Sequence, residues 1–202
     1  MDDLYQRAGE AARRGRWVEA VQLYRELLTA DPAHAEAHNN LALVLERAGE
    51  PAMALDELGA ALKQQPDRVE LLVNRGAIYA GMKRYEEAEA DLRRAIRLLP
   101  SHADAHFNLG MVHWRRGLPE EAADAFRRAV DHDPESAPAW YYLGEALNQT
   151  GDHSGAQEAL ERSAQLKPDS RTFLLLGRVF DRLSRPTEAI EMYRQARDLD
   201  SR

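Results

Sequence analysis

The stretch "ADAHFNLGMVHWRRGLPEEAADAFRRAVDHDP", residues 103–134, decides the fold. Up to Arg116 its apolar residues recur near the period of an α-helix. Gly117 closes that helix, and Pro119 suits the first turn of a second one, where a missing N–H costs nothing. The second helix runs through Phe126 and Val130 until Pro134 bars its continuation. So short a link forces the two helices antiparallel, and the stretch reads as a helical hairpin.

Outward from this hairpin the chain repeats it. Pro32, Pro66, Pro100, Pro134 and Pro168 stand 34 residues apart, and Ala20, Ala54, Ala88, Ala122 and Ala156 keep the same interval. Gly15, Gly49, Gly117 and Gly151 occupy another slot of this lattice, in which Lys83 replaces the glycine of the third copy. A sixth copy, with Gly177, Pro186, Ala189 and Tyr193, comes into register if one residue is lost after Pro168. Internal repetition at such a period is the signature of a solenoid, in which each unit buries its apolar face against the next. The copies span approximately residues 1–34, 35–68, 69–102, 103–136, 137–170 and 171–202 of one domain.

A 34-residue helix–turn–helix unit resembles the tetratricopeptide repeat (TPR). The resemblance is carried by "WYYLGEALNQTGDHSGAQEALERSAQLKP", residues 140–168. There the family's large residue, Leu-Gly pair, small Ala and closing Pro stand as Trp140, Leu143-Gly144, Ala156 and Pro168. It covers essentially the whole chain. The outer copies depart most: Ala8 and Ala11 replace the Gly and the larger residue, and Ser201 falls where Pro is expected. The resemblance implies an all-α fold, a right-handed superhelical α-solenoid of six antiparallel helix–turn–helix repeats, with a concave face where partners bind.

Comparing the copies separates two stripes on the first helix of each hairpin. One has i, i+3, i+4, i+7 spacing and similar residues in most copies: His38-Leu41-Ala42-Leu45, Leu72-Arg75-Gly76-Tyr79, His106-Leu109-Gly110-His113, Trp140-Leu143-Gly144-Leu147 and Phe173-Leu176-Gly177-Phe180. This is the packing seam, its Gly or Ala slot admitting the partner helix; Arg7 and Arg75, in a mostly Leu slot, are expected to snorkel to the edge. The other stripe, one residue around the helix, changes character from copy to copy. It reads Tyr5-Gly9-Ala12, Asn39-Leu43-Glu46, Val73-Ala77-Ala80, Phe107-Met111-Trp114, Tyr141-Glu145-Asn148 and Leu174-Arg178-Asp181. In similar repeats this stripe lines the concave groove, and such variation suits a surface written for a ligand.

Two features of that face are candidates for contact with a partner. Asn40, Asn74 and Asn108 form a row continued by Tyr142. Their amides either hydrogen-bond the main chain of an extended peptide or orient neighbouring helices. Phe107, Met111, Trp114 and Tyr141, with Tyr142 alongside, are anchors of the kind found at binding hot spots, or else additional core. Acids at the helix starts (Asp2, Glu36, Glu70, Asp104) and bases near the ends (Arg13, Arg47, Arg115, Arg182) could hold a bipolar peptide, but they also complement the helix dipoles. Some relatives clamp a chaperone's C-terminal carboxylate with basic groove residues. The matching slots here hold Tyr5, Asn39, Val73, Phe107 and Tyr141, which argues against that ligand.

The pairs His34/His38 and His102/His106 have i, i+4 spacing that can share a metal. However, His38 and His106 fall on the seam, and the recurrence after 68 residues is repeat inheritance, so no metal or other cofactor is expected. The absence of cysteine removes disulfides, thiolate sites and a Cys nucleophile. No phosphate loop, G-x-S-x-G or HExxH occurs, and no enzyme activity is expected. A net charge of −7 argues against nucleic acid. No apolar run approaches the roughly 18 residues of a membrane span, and no signal peptide is visible, so a cytoplasmic location is expected.

The leading expectation is a non-catalytic scaffold or adaptor that binds an extended or helical segment of another protein. A second is the recognition arm of a larger enzyme such as a glycosyltransferase, because the chain begins and ends almost on repeat boundaries. A third is homo-oligomerisation through exposed terminal repeats.

Overall fold

The computed structural model describes residues 2–201, and among them are twelve α-helices. They are α1 (Asp2–Arg13), α2 (Trp17–Ala30), α3 (Ala35–Arg47), α4 (Pro51–Gln64), α5 (Val69–Gly81) and α6 (Tyr85–Leu98), then α7 (Ala103–Arg115), α8 (Pro119–His132), α9 (Ala137–Thr150), α10 (His153–Leu166), α11 (Ser170–Arg182) and α12 (Pro186–Asp200). Consecutive helices pair as six hairpins that follow the repeats read from the sequence, the sixth beginning one residue early at Ser170. The fold is an all-α array of antiparallel helical hairpins. Its contacts divide the chain into two compact units, residues 1–100 and 101–202, with three hairpins in each. Within unit 1, α3 packs on α2 and α5 on α4; within unit 2, α9 packs on α8 and α11 on α10.

Local chemistry sets the hairpin boundaries. Pro51, Pro119 and Pro186 begin α4, α8 and α12, where no N–H is required. The turns inside the hairpins use the left-handed region, at φ +71° for Gly15, +86° for Gly49, +74° for Gly117 and +90° for Gly151. Lys83 and Ser184 fill the same slot at φ 61° and 58°, a conformation that costs a residue with a Cβ about 1–2 kcal/mol. Four of the hairpins open on a side-chain cap. The His34 ring accepts from the Ala37 N–H at 3.2 Å and the His102 ring from Ala105 at 3.3 Å. Ser136 Oγ accepts from Ala139 at 3.4 Å, and Asp169 Oδ1 from Arg171 at 2.8 Å. Imidazole nitrogens do here what hydroxyl and carboxylate oxygens do at most helix starts.

The seam lies where the residues common to the copies placed it. Leu41, Ala42, Leu72, Gly76, Gly110, Leu143, Gly144, Leu176 and Gly177 are buried, as are Ala20, Ala54, Ala88, Ala122, Ala156 and Ala189 on the facing helices. The glycines are required by close approach. A methyl group on Gly110 would stand 2.6 Å from two ring carbons of Phe126, and one on Gly144 2.5 Å from Leu160 Cγ. Cβ atoms essentially never come so close, so only hydrogen lets these helices meet at this spacing.

One expectation about the seam is corrected. Arg75 does not reach for the edge but turns into the hairpin, where its Nε and Nη2 donate to the two carboxylate oxygens of Asp91 at 2.6 and 2.8 Å. Asp91, on α6, is only 7% exposed. A bidentate ion pair replaces a Leu contact because a buried carboxylate on the facing helix leaves the guanidinium nowhere better to go. His38 behaves similarly in the preceding repeat. Its ring spans from Glu57 Oε2, 2.6 Å from Nδ1, to the Pro32 carbonyl, 3.1 Å from Nε2. His34 thus serves as a cap and His38 as a bridge within the hairpin.

Candidate protein-binding faces

In unit 2 the variable stripe becomes a partly open aromatic face. α7 carries Phe107, Met111 and Trp114 at i, i+4 and i+7, one above another. α9 carries Tyr141, Tyr142 and Glu145. All five apolar or aromatic residues are half-buried and packed against the core of unit 2, so each has one side fixed by protein and another left to solvent. Phe126, fully buried on α8, forms the floor. Its ring lies 5.7 Å from Phe107 and 5.7 Å from Tyr142, the latter stacked at 23°. Phe107 meets Tyr142 at 5.9 Å, and Tyr141 stands edge-on to Tyr142 at 5.3 Å. Such offset and edge contacts hold aromatic rings rigidly.

Arg171, from α11, places its guanidinium 5.0 Å over the Tyr141 ring. The two tyrosines, Pro138, Lys167 and Arg171 help line a cleft of about 240 Å³. Burial pushes the Tyr141 phenol above its usual pKa, with Glu145 adding to the effect and Arg171 opposing it. Burial likewise raises the Glu145 carboxyl, against the pull of Arg171 and Arg178. Asn148, on the same stripe, has a buried Oδ1 with no hydrogen-bond partner among the described residues. This face therefore joins rigid apolar anchors to adjustable polar groups.

Unit 1 carries different chemistry at the same positions. Asn40 Nδ2 donates to the Tyr5 hydroxyl at 2.8 Å, and Asn74 Nδ2 donates to Asn39 Oδ1 at 2.8 Å. Both amides thus reach back to the preceding repeat, the helix-orienting use of the asparagine row. Asn108 sits half-buried on α7. Of the charged rims, Glu36 accepts from Arg68 at 2.6 Å, and this hydrogen bond is the main cause of its lowered pKa. The other rim residues lie in first or last helical turns, Asp2 and Arg13 on α1, Arg47 on α3, Glu70 on α5, Asp104 and Arg115 on α7 and Arg182 on α11, as dipole complementarity requires.

A further feature escaped the sequence reading. Gly9 and Ala12 leave the stripe of α1 empty, and a cleft of about 330 Å³ opens beside α3, bordered by Arg13, Trp17, Tyr24, Asn40, Leu43, Glu46 and Arg47. The signal available was two small residues where another copy has Met111 and Trp114. Among the described residues no helix is long and apolar enough to cross a membrane.

Known proteins share this architecture. A stretch of 76 residues is 37% identical to the type IV pilus assembly protein PilF of Pseudomonas aeruginosa, covering 38% of this chain and 30% of that protein, so the match spans under a third of that relative's length. The solved structure of Pseudomonas aeruginosa PilF superposes with a TM-score of 0.87 at 26% identity, over 98% of this chain and 90% of that one. PilW, described as a widely conserved type IV pilus biogenesis factor, gives 0.84 at 21% identity, over 95% of this chain and 89% of that one. YrrB, described as a TPR protein with an unusual peptide-binding site, gives 0.70 at 22%, over 87% and 91%. The last two likenesses are of fold. The Cilia and flagella-associated protein 70 C-terminal domain model matches residues 4–201, and the chain belongs to this tetratricopeptide-repeat family.

Proposed function

We propose that this protein is a scaffold or adaptor that binds an extended or helical segment of another protein on its variable stripe, with Phe107, Met111, Trp114, Tyr141 and Tyr142 as the anchors. The observation carrying this reading is their shared half-burial against the core of unit 2, with Phe107 and Tyr142 resting on Phe126. Anchors already held by a core lose little side-chain entropy when a partner covers them, so their apolar area converts efficiently into affinity. The naming of PilF and PilW as pilus assembly and biogenesis factors fits a chain that acts by holding proteins together.

The test is selection of ligands from a peptide library, followed by titration of Trp114→Ala. Losing this anchor is expected to weaken binding by about 2–4 kcal/mol while the helical signal and melting transition stay close to those of the parent. A folded variant that binds every selected ligand as before would remove the aromatic face from consideration.

Self-association is the second reading. On α12, Ile190 is 68% exposed, whereas Ala123 at the same repeat position on α8 is 4% exposed. A concentration-dependent rise in mass by light scattering, abolished by Ile190→Ser, is the expected result; a mass constant with concentration counts against it.

A further inference from the structure

The cleft beside α1 and α3 has the composition of a site for a specific group. Its back wall is Tyr24, fully buried on α2, and its apolar border is Ala12, Leu43, Val44 and Trp17. A methyl group on Gly9 would lie 3.5 Å from Arg13 Nη1 and 3.7 Å from the Tyr24 hydroxyl, so both polar groups border the space that the absent side chain leaves. Arg47 closes the opposite side, with its guanidinium 5.9 Å from the centre of the Trp17 ring.

The arginines of this cleft are not spent on ion pairs. Within unit 1, Arg14, Arg16, Arg84, Arg93 and Arg94 each hold a carboxylate at 2.6–2.8 Å. Among the described residues no ion pair is made by Arg13 or Arg47, nor by Arg25 or Arg97, but only Arg13 and Arg47 border this cleft, which Glu46 also lines. Two guanidinium groups and one carboxylate leave a net charge of +1 beside apolar walls. That balance is matched by one monoanionic carboxylate on an apolar stem and over-filled by a dianionic phosphate. A cationic ligand would face two like charges.

We infer that this cleft is a subsite for an acidic side chain, Glu or Asp, flanked by an apolar residue in the bound protein segment, with Arg13 and Arg47 as its cationic contacts and Trp17 and Leu43 as its apolar ones. The inference rests on the segment-binding reading above and supplies it with a sequence preference. It gives the two units different tasks: unit 2 takes large apolar side chains, and unit 1 takes the charge.

The probe is the blocked pentapeptide acetyl-Ala-Leu-Glu-Leu-Ala-amide, with a Gln twin and a phosphoserine twin, titrated at low salt into the whole protein. The indole N–H signal of Trp17, assigned with Trp17→Phe, is the NMR reporter. The Glu probe is expected to shift this signal saturably and to bind about tenfold or more tighter than the Gln twin, the size of one charge-assisted hydrogen bond. The double variant Arg13→Gln/Arg47→Gln should reduce the Glu probe to the affinity of the Gln twin, and Ala12→Leu, which fills the cleft, should abolish the shift. Trp114→Ala should leave this binding unchanged, so failure of the aromatic face and failure of this cleft are distinguishable. Equal binding of the Glu and Gln probes overturns the inference. So does tighter binding of the phosphoserine twin, or a Trp17 signal that no probe moves.

Discussion

Asp91→Ala alone is expected to lower the stability of the protein by about 3 kcal/mol, whereas Asp91→Ala combined with Arg75→Leu is expected to be close to neutral. The single variant leaves the Arg75 guanidinium inside the hairpin without the carboxylate that now holds its Nε and Nη2. The cost falls at the low end of the range for a buried pair because the Arg75 side chain keeps 23% exposure. The double variant exchanges the pair for an apolar contact that the protein already uses. At the corresponding positions the next repeat holds Leu109 and Ala125, and the one after holds Leu143 and Ala159. Urea denaturation of the parent, both single variants and the double variant gives the coupling directly. A double variant as unstable as Asp91→Ala would show that the surrounding helices had been shaped around the ion pair.

The second large effect is expected at Phe126. Truncation to Ala removes a fully buried ring and should cost about 3–5 kcal/mol. Because Phe107 and Tyr142 both rest on that ring, the loss should also loosen the aromatic face and weaken ligands that bind there. Leu58→Ala is the control. Leu58 is equally buried, in unit 1, and its loss should cost about 2–5 kcal/mol without changing the affinity of those ligands. Affinities measured at low temperature, where both variants remain folded, separate the outcomes. Equal affinity in the two variants would mean that the anchors are held by other contacts than Phe126.

Several residues show why some of this was legible and some was not. The seam residue Gly110 could be placed from spacing alone, because residues three, four and seven apart share a helix face in every helix. Its facing residue, Phe126, was within reach as well, since a short hairpin link fixes which helix comes back. Arg75 was misread because its partner lies 16 residues away on that returning helix. A signal existed: within one repeat a Leu and an Ala are exchanged together for opposite charges. The i, i+4 spacing of His34 and His38 said nothing of what His34 does; its position one residue before α3 lets the ring cap the helix. The cleft of unit 1 was harder still to anticipate, because it is defined by side chains that Gly9 and Ala12 lack.

By itself, the sequence determined the twelve helical segments, their pairing and the division of each first helix into a seam and a variable stripe. These follow from helical periodicity, from proline and glycine at fixed places, and from repetition, all of which act over a few residues or one period. Only the tertiary structure decided what the variable stripe presents. The core supports the aromatic residues of α7 and α9 from beneath, Arg171 of α11 covers Tyr141, and Arg13 and Arg47 border a cleft beside Tyr24. Such arrangements depend on the axial offset between neighbouring helices and on rotamers chosen by packing. Spacing along the chain does not specify either.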